Sequence, residues 1–221
     1  MTANHSDNDT SISKLILVPS LISLAITLLR LVGELQHWPT SLFSPAAGGG
    51  GSIVGISWLV PIFGIYFAMK LVGAGKTSPS AAKPILLALL GIAVFFAGAI
   101  VLGKFGPSPI ALLGFGLFLL AALLQSAGWK DLFKVLLAYA FAARIPVLIV
   151  MFLAIRGDWH THYDVVPPNF PEGVGFWTKF LEIGFLPQMT LWIGFTVIIG
   201  TLTGSLVAIF LRRDKKVAQP A

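Results

Sequence analysis

The sequence predicts an all-α polytopic integral membrane protein, a bundle of six transmembrane helices. Three observations predict it. Of 221 residues 56% are hydrophobic and 11% charged, and mean hydropathy is +0.88, a balance far more apolar than that of a soluble domain. Apolar runs at 15–33, 53–72, 84–103, 109–126, 132–155 and 189–211 each have about the length that crosses a hydrocarbon core. Basic residues collect on alternate connections between the runs, as they do on cytoplasmic loops. The chain 1–221 reads as one membrane domain.

Residues 1–13 are polar and carry Asp7 and Asp9 but no Lys or Arg, so the basic start of a secretory signal is missing and the first span reads as retained. Within that span Ser20, Ser23, Thr27, Arg30 and Glu34 recur at steps of three and four. They form one helical stripe that should face protein or water, with Arg30 and Glu34 close enough to pair. The 34–51 segment carries His37 and Trp38 and ends in four glycines, Gly48 to Gly51, which read as a flexible joint before the second span. That span has Pro61 at mid-depth and Lys70 near its end. Gly75, Lys76 and Thr77 imitate the end of a phosphate-binding loop, but Lys70 stands where the first glycine belongs, and the match fails.

The third and fourth spans are joined by Lys104, Phe105, Gly106, Pro107 and Ser108, a connection short enough to make an antiparallel helical hairpin. Trp129 and Lys130 lead into the fifth span at an expected interfacial belt. The 156–188 segment divides into a turn-rich part and an amphipathic part, in which Phe176, Trp177, Phe180, Leu181 and Ile183 flank Lys179 and Glu182. The amphipathic part predicts a short helix in the interface plane. Segments 34–51 and 156–188 together predict an outer cap.

With the N-terminus inside, ten of the fifteen basic residues (Lys14, Lys70, Lys76, Lys83, Lys130, Lys134, Arg212, Arg213, Lys215 and Lys216) lie on inner segments. Arg30, Lys104, Arg156 and Lys179 lie outside. Both termini are therefore expected in the cytoplasm, in a bacterial cytoplasmic (inner) membrane.

The remaining basic residue, Arg144, sits near the middle of the fifth span, two residues before Pro146. An arginine at that depth costs roughly 3 kcal/mol on insertion scales and tends to face a bundle interior or a watery cavity. No carboxylate lies in the apolar centre of any span, so its donors are expected on hydroxyls, water, an anionic ligand or carbonyls such as that of Ala142, which Pro146 displaces. Thr201 and Ser205 are the candidate hydroxyls, and with Arg144 they form the candidate ligand site. The structural alternative is a hydrogen-bonding clip.

In the last span Thr196, Gly200, Gly204 and Ala208 are spaced four apart. A ridge of small residues lets another helix come close, here expected in the same chain rather than in a second copy.

His160, His162 and Asp164 alternate, with His37 expected on the same surface. Imidazole and carboxylate suit zinc or a similar divalent ion, which makes these four weak metal candidates without a fixed motif. No catalytic set or nucleotide motif has a readable spacing. Cysteine is absent, which removes disulfides, thiolate metal sites and a cysteine nucleophile. No basic run is interleaved with aromatics, so the net charge of +6 does not point to nucleic acid.

Gly128 to Pro146, with Phe133 and Tyr139 before the proline, resembles a helix entry of the Yip-type membrane proteins. These are small multi-span proteins tied to membrane traffic in eukaryotes and mostly unassigned in bacteria.

The function expected is that of a non-catalytic multi-pass component, without a cofactor, that binds membrane lipid or a membrane-protein partner, including a second copy of itself. A small transporter or channel subunit with an anion site near Arg144 is the alternative. Metal-dependent activity on the outer face is the third.

Overall fold

The computed structural model describes residues 11–106, 108–168 and 170–217, without the side chains of 212–217. The acidic N-terminal stretch with Asp7 and Asp9, Pro107 of the hairpin connection, and the side chains of Arg212, Arg213, Lys215 and Lys216 lie outside the described residues. Within them the chain is helical and holds no strand. The helices are α1 (Ile12–Leu35), α2 (Leu59–Gly73), α3 (Lys83–Phe105), α4 (Ala111–Leu124), α5 (Lys130–Gly157), the short α6 (Phe176–Lys179) and α7 (Trp192–Val217).

Five helical stretches are long and apolar enough to cross a membrane: Ile12–Leu35, Ile56–Gly73, Lys83–Phe105, Lys130–Gly157 and Phe176–Leu211. A sixth apolar helix, Ala111–Ala127, is shorter. Leu86, Leu89, Leu90, Phe96 and Ile100 of α3, and Leu112, Leu113, Leu120 and Leu123 of α4, are exposed. A continuous apolar face of that kind would not be left to water, and it is consistent with an integral membrane protein.

α7 lies at the centre and packs against α2, α3, α4 and α5, while α1 packs mainly on α5. The small residues of α7 make this possible. A Cβ on Gly204 would stand 2.6 Å from the Gly64 carbonyl oxygen, and one on Gly64 would stand 2.6 Å from the Gly200 Cα. Gly200 also meets the Leu136 side chain. Thr196 and Ala208 on the same ridge are buried. The neighbours are thus α2 and α5 of the same chain. α3 and α4 pair in the same way, with the Gly98 position 2.8 Å from the Gly114 carbonyl.

Several boundaries depart from the sequence reading. The second span begins at Ile56 instead of 53, because the Ile53 and Val54 amides bond back to the Ser41 and Leu42 carbonyls at 3.3 and 3.1 Å. Pro61 therefore stands in the first turn of α2 and not at mid-depth, where its missing N–H leaves no helix bond unmade. Trp129, expected in an interfacial belt, is only 2% exposed. Its indole N–H donates to the Lys76 carbonyl at 3.1 Å, and Ser78 donates to the Gly128 carbonyl at 2.9 Å. The two inter-helix connections at that end are tied together.

The interfacial helix is also corrected. Instead of a separate element, α6 runs through two wide, π-type segments, Phe180–Phe185 and Pro187–Leu191, directly into α7. Pro187 cannot donate, and its ring pushes away the carbonyl one turn back. The helix absorbs this by widening, as π-type turns do. Thr190 Oγ1 donates to the Leu186 carbonyl at 2.7 Å.

Candidate functional site

The polar stripe of α1 is buried at Ser23, Thr27, Arg30 and Glu34. Ser23 Oγ lies 2.8 Å from the Tyr139 hydroxyl, which joins α1 to α5. At the end of α1, Arg30 Nε donates to Glu34 Oε1 at 2.8 Å. The same oxygen lies 2.6 Å from His162 Nδ1, and Glu34 Oε2 accepts the His162 backbone N–H at 2.8 Å. One carboxylate thus ties the 156–188 segment to α1. Tyr163 adds a second tie, donating to the Thr27 carbonyl at 3.1 Å.

Burial holds the His162 imidazole below its usual pKa range, against the hydrogen bond to Glu34 that pulls it up. The Glu34 charge is already balanced by Arg30, so a neutral imidazole donating from Nδ1 completes the group. Burial likewise raises the Tyr163 hydroxyl above its usual range, which keeps it a neutral donor.

Of the four glycines, Gly49 is drawn into this network. Arg30 Nη2 donates to the Ser44 and Gly49 carbonyls at 3.1 and 3.2 Å. A Cβ on Gly49 would lie 3.0 Å from His162 Cδ2 and 3.3 Å from the Arg30 guanidinium nitrogens. Gly49 also has φ +74°, a conformation that suits glycine. The loop folds over the guanidinium as a carbonyl cradle.

Arg144 lies deeper, on the face of α5 that also carries Val147 and Met151. It is 4% exposed. Its Nη1 makes one long contact, 3.5 Å, to Gln188 Oε1, and its guanidinium carbon stands 4.6 Å from the centre of the Trp192 ring, within cation–π range. Gln188 is oriented in turn by its Nε2, 3.5 Å from Met151 Sδ. Arg144 Nε is buried without a partner.

These groups surround a cavity of about 390 Å³ lined by Thr27, Arg30, Ser57, Arg144, His162, Tyr163, Glu182, Gln188 and Trp192 among apolar side chains such as Ile26, Ile56, Val147, Met151 and Leu191. The wide turns decide which residues of α6–α7 reach it. Residues 182 and 191 are roughly two and a half turns apart at about 3.6 residues per turn, which would put them on opposite faces of a regular helix. Here Glu182, Ile183, Pro187, Gln188, Leu191 and Trp192 all face the cavity.

Comparisons with protein-family models, curated proteins and solved structures find no match.

Of the residues singled out in the sequence, Arg144 lines the cavity, but Thr201 and Ser205 do not join it. Ser205 instead lines a small recess with Ser78 and Trp129. Thr201 and Ser205 are buried with hydroxyls that have no partner. The reason is axial: Arg144 meets α7 at Trp192, and nine residues further along is about 13 Å away at about 1.5 Å per residue. The Ala142 carbonyl likewise accepts nothing from Arg144 in the structure.

The metal candidates are drawn into other work. His160, Thr161 and Asp164 form a tight turn and not an extended segment, with the His160 and Thr161 amides donating to the two Asp164 oxygens at 2.9 and 2.7 Å. His160 points away, its side chain 81% exposed near Asp158, His37 is exposed, and His162 is spent on Glu34. Among the described residues no three metal-ligating side chains converge. Sequence reasoning missed Gln188, Trp192 and the cavity role of Glu182. The only available signal was Pro187 next to a polar residue at the start of an apolar run.

Proposed function

We propose that this is a multi-pass membrane protein that binds the anionic group of a membrane lipid in the Arg144 cavity. The observation that carries the reading is the Arg144 guanidinium, buried in the wall of a largely apolar cavity with Nε unpartnered and one long hydrogen bond. A guanidinium with spare donors suits a phosphate or carboxylate. A volume of about 390 Å³ falls in the range of small-molecule pockets. It suits a head group and the first carbons of its chains.

In this reading six helices span the bilayer. Ala111–Ala127 crosses as the return arm of the α3 hairpin, both termini are cytoplasmic, and the cap over Arg30 is on the outer side of a bacterial cytoplasmic (inner) membrane. The ten-to-four distribution of basic residues supports that orientation. Reporters fused after Lys76 and after Lys130 should then read as cytoplasmic and one at Pro168 as external; Pro168 inside would end it.

A small anion transporter is the second reading, favoured by the two wide turns at the cavity, since such turns recur at functional sites in helices. Native mass spectrometry of the purified protein tests the first reading. Lipid with a phosphate-bearing head group should be retained by the wild type and lost by Arg144→Leu at unchanged melting temperature. Arg144-dependent uptake of a soluble anion into vesicles, without retained lipid, would favour the second.

A further inference from the structure

Glu182 lines the same cavity as Arg144, and among the described residues no hydrogen bond or ion pair engages it. It is half-buried in the first wide segment, Phe180–Phe185, while Arg144 stacks beyond the second, on Trp192. The cavity therefore carries two opposite charges that do not meet.

Its other ionisable groups are already settled. Arg30 is matched by Glu34, and His162 bonds to the same carboxylate. What remains for a ligand is one guanidinium and one carboxylate. A purely anionic ligand would satisfy the first and lie against the second, and like charges in a poorly solvated space repel strongly. A ligand with an anionic group at one end and an ammonium at the other would satisfy both with charge-assisted hydrogen bonds.

Building on the anion-binding reading of Arg144, we infer that the cavity selects an amine-bearing anion, with phosphate or carboxylate on Arg144 and a primary ammonium on Glu182. The shared chemistry is that of phosphoethanolamine, whether carried as a lipid head group or free.

The test is binding to the purified full-length protein, read by native mass spectrometry for lipids and by calorimetry for soluble compounds. The four probes are phosphatidylethanolamine, phosphatidylglycerol (the same phosphodiester without the amine), free phosphoethanolamine, and ethyl phosphate. The wild type should prefer the amine-bearing member of a pair by about tenfold, the preference that about 1.4 kcal/mol supplies. Glu182→Gln should reduce that preference to about twofold or less while leaving the amine-free member bound at least as well, because a repulsive charge is gone. Arg144→Leu should lose every probe. Preference in the lipid pair alone makes the source a head group; preference in the soluble pair alone makes it a free solute.

Equal or tighter binding of phosphatidylglycerol and ethyl phosphate by the wild type, or a preference that survives Glu182→Gln, overturns the role of Glu182 while the anion site stands. No Arg144-dependent binding of any probe removes both. Thermal melting of Glu182→Gln, expected within a degree or two of wild type for a half-exposed side chain without a partner, separates lost recognition from lost fold.

Discussion

Arg30 and Arg144 are both buried in helices, and both border one cavity, yet the fold treats them in opposite ways. Arg30 at the capped end gives Nε to Glu34 and Nη2 to two loop carbonyls, and the 156–188 segment closes over it through His162. Arg144, elsewhere on the wall of the same cavity, has one long bond and the face of an indole. A buried guanidinium supplied with a carboxylate and carbonyls organises structure. One left with unmet donors is tolerated only where something else gains from it, because burying an unpaired charge is expensive. With burial nearly equal, the two arginines differ in the count of donors used, and on that difference the anion-binding proposal for Arg144 rests.

The comparison is broken most severely at Glu34. Glu34→Leu strands Arg30 and the His162 amide together, and loss of one member of a buried pair should lower stability by about 3 kcal/mol or more, visible as a large fall in melting temperature in lipid nanodiscs. A variant that melts like wild type would mean the capped end contributes nothing to the fold. A smaller change is expected from Gly49→Ala. It places a Cβ at positive φ and within 3.3 Å of Arg30, at a conformational cost of about 1–2 kcal/mol. Little or no loss there would show that the glycine loop does not hold Arg30.

Arg144→Leu should behave in the contrary way, with stability within about 1 kcal/mol of wild type or above it, since it removes a poorly paired buried charge. Arg144→Lys sharpens the point, because it keeps charge without the planar fork and should weaken anion binding while leaving the melting temperature alone. A marked destabilisation by Arg144→Leu would make Arg144 a clip like Arg30.

The smallest effect is the pH dependence through His162. Its pKa in the fold is depressed from the ordinary value, so the contribution is complete above about pH 6.5 and is lost as pH falls below that, where only the unfolded chain takes the proton. Stability, followed as melting temperature, should therefore decline as pH drops from 7 toward the folded-state pKa, with unfolding free energy falling by at most about 1.4 kcal/mol per pH unit for one proton. His162→Asn should flatten that part of the curve. An unchanged curve would place the titration elsewhere.

The helices were legible because hydropathy and period are local properties. Ser23, Thr27, Arg30 and Glu34 fall on one buried face, as steps of three and four require of any helix. The small residues of α7 were readable as a close-packing ridge for the same reason, and the Arg30–Glu34 pair followed from spacing alone. Other features were not legible, each for a nonlocal reason. Gly48 to Gly51 look like a plain joint until the Arg30 guanidinium, 19 positions before Gly49, is seen to bond the Gly49 carbonyl. His162 looks like a metal ligand until Glu34, 128 positions earlier, takes its ring nitrogen.

Sequence by itself thus determined that the chain is built from apolar helices, which faces of α1 and α7 turn inward, and that Arg144 must be accounted for within the fold. Tertiary structure alone decided that Arg144 meets Gln188 and Trp192 and not Thr201 or Ser205, and that Glu182 shares its cavity. The physical reason is geometric. Axial level and helix rotation at a contact depend on how α5 and α7 dock, and a few wide turns around Pro187 shift the facing residues by half a helical turn without leaving a trace in the apolar period.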